Sequence, residues 1–182
     1  MRTLQQPLFT PETEWVPPDH LPDLSTHGEI AIDLETRDPN LLSMGSGSVR
    51  RDGEIVGIAV AVEGWSGYFP IAHEGGGNMD RELVLDWFEE LLNTTATKIF
   101  HNAMYDVSWI RSLGFQINGG IIDTMIAASL IDENRFSYTL DSIGKDYIGM
   151  RKNEKLLQDA AKDFGVNAKA EMWRLPAPFV GE

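Results

Sequence analysis

The sequence predicts an α/β fold, a mixed β-sheet flanked by helices in a single domain, and three observations carry that expectation. Short apolar, β-compatible runs come first, at residues 29–35, 55–62 and 65–71. From Lys98 onward such runs alternate with helical patterns, the arrangement that lays helices against a sheet. A chain of 182 residues with 42% hydrophobic and 24% charged side chains suits one globular core and is far from disordered or fibrous compositions.

The elements follow in order. Residues 1–28 hold five of the nine prolines and neither periodicity, so they read as an extended lead-in to a domain over 29–182. Glu29-Ile30-Ala31-Ile32-Asp33-Leu34-Glu35 is the opening strand, and Gly45, Gly47 and Asp52-Gly53 mark a loop and turn. The apolar run at 55–62, closed by Gly64, suits a central strand covered on both faces, with 65–71 returning beside it. His73 and the glycines at 75–77 end that strand. A helix over 80–92 sets Leu83, Val84, Trp87, Phe88, Leu91 and Leu92 on one side. Then come a strand at 98–101, a helix over 102–113 with Gly114 in the C′ role, a strand at 119–123 and helices over 124–131 and 153–164.

Composition bounds the function. Nothing approaches the roughly 18 apolar residues of a membrane span, and the N-terminus lacks a signal-peptide apolar block, so a cytoplasmic protein with no membrane partner is expected. With no cysteine, a metal must be held by carboxylates or by the four histidines, and oxygen ligands favour Mg²⁺ or Mn²⁺. The net charge of −13 has the wrong sign for coating nucleic acid. It is compatible with an acidic pocket that recruits divalent cations and grips a few nucleotides.

Two constellations stand out. Asp33 and Glu35, two apart on a strand, project from one face of the sheet, where like charges raise each other's pKa unless a cation neutralises them. Asn102 and Asp106 lie four apart where a strand gives way to a helix, a place where open α/β sheets gather ligands. The plainer alternatives are a solvated Asp-x-Glu, a capping Asn102 and an exposed first-turn Asp106.

Ile32-Asp33-Leu34-Glu35-Thr36 resembles the first motif of the DnaQ-like, or DEDD, exonuclease superfamily, and His101-Asn102-Ala103-Met104-Tyr105-Asp106 resembles the second, in the form found in the proofreading domain of DNA polymerase I and its phage relatives. Asp123-Thr124-Met125 and Tyr138-Thr139-Leu140-Asp141-Ser142-Ile143 are similar to that family too, so the resemblance covers about residues 29–149.

The resemblance implies a ribonuclease H-like fold and 3′→5′ hydrolysis with two divalent ions, Mg²⁺ or Mn²⁺, about 3.5–4 Å apart. Asp33 would bridge the ions, Glu35 hold the one that activates water, and Asp106 hold the other. Asn102 would orient the substrate or the Asp106 carboxylate. Leu34, Thr36, Tyr105, Phe136 and Tyr138 would contact the terminal nucleotides of a single-stranded DNA 3′ end, the last two by stacking. The partner implied is a polymerase domain downstream, in the same or a second polypeptide, in the host cytoplasm if phage-encoded. The family's third motif, a late tyrosine or histidine followed by an aspartate, is not found: no tyrosine here has an aspartate four or five residues on. The expectation is therefore a chain that stops just before that motif and is inactive alone. Asp159 and Asp163 are read as the wet face of a helix rather than substitutes. His73 is read as a loop or capping residue, and Trp65, Trp87, Trp109 and Trp173 as core or partner-facing. An RNase D-like RNA exonuclease and an inactive exonuclease-fold scaffold are the competing readings.

Overall fold

Strand β1 (Glu29–Arg37) alternates as the sequence suggests: Ile30, Ile32 and Leu34 are buried, while Asp33 and Glu35 point to the opposite face. The coordinates are a computed structural model that describes residues 12–181, so residues 1–11 of the expected lead-in lie outside the described residues. Where a plain loop was expected, two helical turns follow, α1 (Leu41–Met44) and α2 (Gly47–Arg50). Ser46 caps α2 through the Ser48 N–H, and Arg50 pairs with Asp38 and Asp52.

Strands β2 (Glu54–Val62) and β3 (Trp65–Pro70) form an antiparallel hairpin that turns at Gly64, where φ is 79°. Helix α3 (Arg81–Asn93) starts at Asp80, whose carboxylate accepts from the N–H groups of Glu82 and Leu83. Next come β4 (Thr97–Phe100), α4 (Ala103–Ser112), β5 (Ile121–Asp123) and α5 (Thr124–Ile131). The chain ends in α6 (Leu140–Ile148), α7 (Lys155–Asp163), a 3-10 turn (Met172–Arg174) and α8 (Pro178–Gly181). The five-stranded sheet runs β3-β2-β1-β4-β5, with β2 antiparallel to β1 and β3, and β4 parallel to β1 and β5.

One face of the sheet, with Ile30, Ile32, Leu34, Ile58 and Val60, packs against Val84, Phe88 and Leu92 of α3 and Trp109 and Ile110 of α4. Leu83, expected on that apolar side, is instead 61% exposed, because the buried stripe of α3 is narrower than the sequence suggested. A second, smaller cluster joins Ala160, Ala161, Phe164, Leu175 and Phe179. Residues 12–28 form no helix or strand but lie against the domain: Leu24 is buried and Pro22 accepts from the Trp87 indole at 2.8 Å. No helix among the described residues is long and apolar enough to cross a membrane.

Candidate active site

The site forms where two neighbouring strands part. β4 pairs with β1 only along Glu29–Ala31 and leaves the sheet after Phe100. Further along β1, the Leu34 N–H therefore finds no strand partner on that edge, and it donates instead to the Asp106 carboxylate at 3.1 Å. Asp106, one turn into α4 and only 3% exposed, is thus anchored to the backbone between Asp33 and Glu35. The plainer reading of Asp106 as an exposed first-turn acid is ruled out.

The three carboxyl groups sense one another. Burial, then the neighbouring charges of Asp33 and Asp106, push Glu35 up to about 7 against the opposing charge of Lys152. Burial and the Asp33 charge push Asp106 up to about 7, opposed by the Leu34 N–H. Asp33 reaches solvent, yet burial of its carboxyl raises it, while Lys152 and His101 pull the other way. Such a set holds more negative charge than its surroundings neutralise.

Asp123 fixes the start of α4. Its carboxylate accepts from the N–H groups of Asn102 (3.1 Å) and Ala103 (2.8 Å) and caps α5 through Met125 and Ile126. Burial works against its ionisation, but these four donors hold it below the ordinary carboxylate value. Asn102 takes the left-handed conformation (φ 71°, ψ 54°) that asparagine tolerates, and its side chain makes no capping bond. It therefore lies outside the helix, off the face of Asp106. No hydrogen bond joins Asn102 to the Asp106 carboxylate among the described residues; the Leu34 backbone N–H holds that carboxylate.

The other expected contact residues divide. Leu34 turns its side chain into the core, so only its backbone faces the acids. The Thr36 hydroxyl shares a 2.6 Å hydrogen bond with the Tyr105 phenol, whose ring meets Trp109 edge-on. Phe136 is fully exposed, and Tyr138 donates to the Asp132 carbonyl at 2.8 Å. Asp159 and Asp163 are exposed, in keeping with the wet helix face.

Tyr68, close to Glu35, escaped the sequence reading, and so did its bond to His73. Glu35 pairs across the sheet with Gly57, whose missing side chain leaves room for the Tyr68 phenol. Burial raises Tyr68, and the Glu35 and Asp33 charges raise it further, so it stays a neutral phenol. His73 donates from Nδ1 to the Leu175 carbonyl (3.1 Å) and accepts at Nε2 from Tyr68 (2.5 Å). Burial drops it to about 4, so it too is neutral. His73 lies in the loop after β3, and its ring is a buried link between β3 and the segment before α8. Of the tryptophans expected in the core or facing a partner, Trp109 is core, Trp87 packs on Phe69, Trp65 is 37% exposed, and Trp173 lies under the Arg37 guanidinium.

Two oxygen-donor acids raised to about 7 by burial and by the neighbouring Asp33 charge form a donor set suited to a hard divalent cation. Among the described residues, however, no three histidine or acidic side chains are already drawn into one metal-binding cluster.

Residues 11–173 match the model of the 3′-5′ exonuclease domain found in family A DNA polymerases. The chain belongs to that family. A DNA-directed DNA polymerase of Pseudomonas phage M6 is 40% identical over 100% of this chain and 29% of its own length. DNA polymerase I of Borreliella burgdorferi is 30% identical over 56% of the chain and 11% of its own length. The exonuclease chain therefore spans less than a third of the curated relatives it matches. Among solved structures, NrnC of Brucella melitensis with bound Mg²⁺ has a TM-score of 0.54 at 20% identity, covering 82% of this chain and 72% of its own. RNase D of Escherichia coli has a TM-score of 0.51 at 15% identity, covering 72% and 31%. These likenesses show that the exonuclease domain has the ribonuclease H-like fold.

Proposed function

We propose that this domain removes nucleotides from the 3′ end of single-stranded DNA, as the proofreading module of a DNA polymerase acting in the host cytoplasm. Asp33, Glu35 and Asp106 hold the two divalent ions, Mg²⁺ or Mn²⁺. The observation that carries the reading is the Leu34 N–H to Asp106 bond, which sets a helix acid between two strand acids. Bound ions in such a site supply water activation and charge stabilisation on the attacking and leaving oxygens.

The chain's own residues prepare that chemistry. Asp106 is held in place by the backbone, so its carboxylate need not be ordered when an ion arrives. Glu35 and Asp106, both near 7, release protons as they take up a cation. Tyr68, which feels the Glu35 charge, stays a neutral phenol bonded to His73, and His73 is committed at both nitrogens and takes no proton from the reaction. The acid and tyrosine of the third family motif are not found in these 182 residues, so this chain alone is expected to cleave less than one joined to the rest of a phage-type polymerase.

The test is digestion of matched 5′-labelled DNA and RNA single strands in Mn²⁺ by the polymerase-joined form. DNA is expected to shorten stepwise from its 3′ end, and Asp33→Ala to abolish this. A preference for RNA reassigns the substrate to the RNase D type. An intact site that shortens neither strand removes the nuclease reading.

A further inference from the structure

Charge is unevenly distributed along this acidic chain. The whole carries −13, yet residues 145–169 hold six Lys and Arg against four Asp and Glu. The fold gathers four of those cations around one place. A cleft of about 460 Å³ is lined by Glu35, Glu154, Lys152 and Lys169, with Leu156, Met172 and Phe179 among its apolar residues. An adjoining cleft of about 590 Å³ shares Lys152, Glu154 and Lys169 and adds Arg151 and Lys155, and Thr139 and Leu140 line it as well.

These cations are largely uncommitted. Arg151 approaches Asp141 at 4.0 Å, and Glu154 is the other acid lining the second cleft. Among the described residues, no carboxylate lies within ion-pairing distance of Lys152, Lys155 or Lys169. The Lys152 backbone N–H is anchored to Asp141 at 3.1 Å, and its ammonium charge is felt by both Asp33 and Glu35.

We propose that the joined clefts lined by Arg151, Lys152, Lys155 and Lys169 form the track along which the phosphodiester backbone of a single strand approaches the acids. This deepens, and rests on, the nuclease reading of the same site. A strand end must be brought up to three carboxylates that repel it, and unpaired cations beside them offset that repulsion. The apolar residues offer a surface for bases with no sequence preference, as single-strand grooves do. Thr139 and Leu140 directly follow Tyr138, so the track passes the loop that carries Phe136 and Tyr138.

The test is fluorescence anisotropy of a 5′-fluorescein-labelled thymidine oligonucleotide with the 182-residue chain in EDTA, across a salt series. The triple variant Lys152→Gln, Lys155→Gln, Lys169→Gln is expected to weaken binding about tenfold at low salt. Its log–log salt slope should fall by about 2, since each single-strand phosphate contact contributes about 0.7. Lys162→Gln, an exposed change on α7 outside both clefts, is the control and should leave both unchanged. Equal losses in control and triple variant, or a triple variant with the parental slope, overturn the track and leave the nuclease reading standing. A chain that takes up Mn²⁺ at Asp33 but binds no strand overturns the track alone. A chain that does neither overturns both.

Discussion

In β1 to β4, α3 and α4 most apolar side chains enter one core, the short turns α1 and α2 excepted, whereas from α5 through α6 most stay exposed. The first region contains Ile30, Ile58, Phe69, Phe88 and Ile110, each at 0% exposure in one continuous core. In the second, Leu130 is 82% exposed, Ile131 70% and Ile148 69%, and α6 buries no residue. Caps and surface pairs hold α6 instead: Thr139 accepts from the Ser142 N–H, Gly149 closes the helix, and Arg135 pairs with Asp146 at 2.6 Å while lying over Tyr147. The acids stand on the packed region, and the loop of Phe136 belongs to the lightly packed one. A stiff floor for the chemistry thus meets a border with low local stability, where a flexible strand is accommodated at little cost.

Substitutions sharpen that contrast. Phe88→Ala opens a cavity in the packed region and should cost about 3–5 kcal/mol in urea unfolding. Next in size is the acid cluster. Glu35 and Asp106 have ordinary values of 4.5 and 3.8 but sit near 7 in the fold, so the folded chain binds more protons than the unfolded one across that window. Their contribution is favourable below about pH 4 and is lost as pH rises through 7, so stability should fall across that window, and Glu35→Gln should flatten the slope. Asp123→Ala frees four N–H groups at two helix starts and should cost about 1–2 kcal/mol, with weaker cation uptake because α4 shifts. Tyr105→Phe removes the bond to Thr36 and should cost about 1 kcal/mol. Leu130→Ala, in the lightly packed region, should stay within about 0.5 kcal/mol. If it matched Phe88→Ala, the contrast between the regions would be lost.

The same division governs what the sequence reveals. The strands at 55–62 and 65–71 and the helix at 80–92 were legible because their apolar spacing matches the faces they bury. The sequence also identified Asp33, Glu35 and Asp106 as candidates, and β1 and α4 supply them as expected. Helix α6 was not foreseen as a helix, because it buries nothing and its signal lies in Thr139 and Gly149, which also suit a turn. The Leu34 bond to Asp106 spans 72 residues, and the His73 bond to Leu175 spans 102, so neither leaves a local pattern. Asn102 looked like a member of the helix, and only its positive φ removes it.

Titration calorimetry of the 182-residue chain with Mn²⁺ near pH 7.5 reads whether Asp33, Glu35 and Asp106 act as one cation site. A saturable heat with proton release is expected, abolished by Asp33→Asn and weakened at least about tenfold by Asp106→Asn. Equal uptake by the parent and Asp33→Asn, or no uptake by the parent, would contradict that single site.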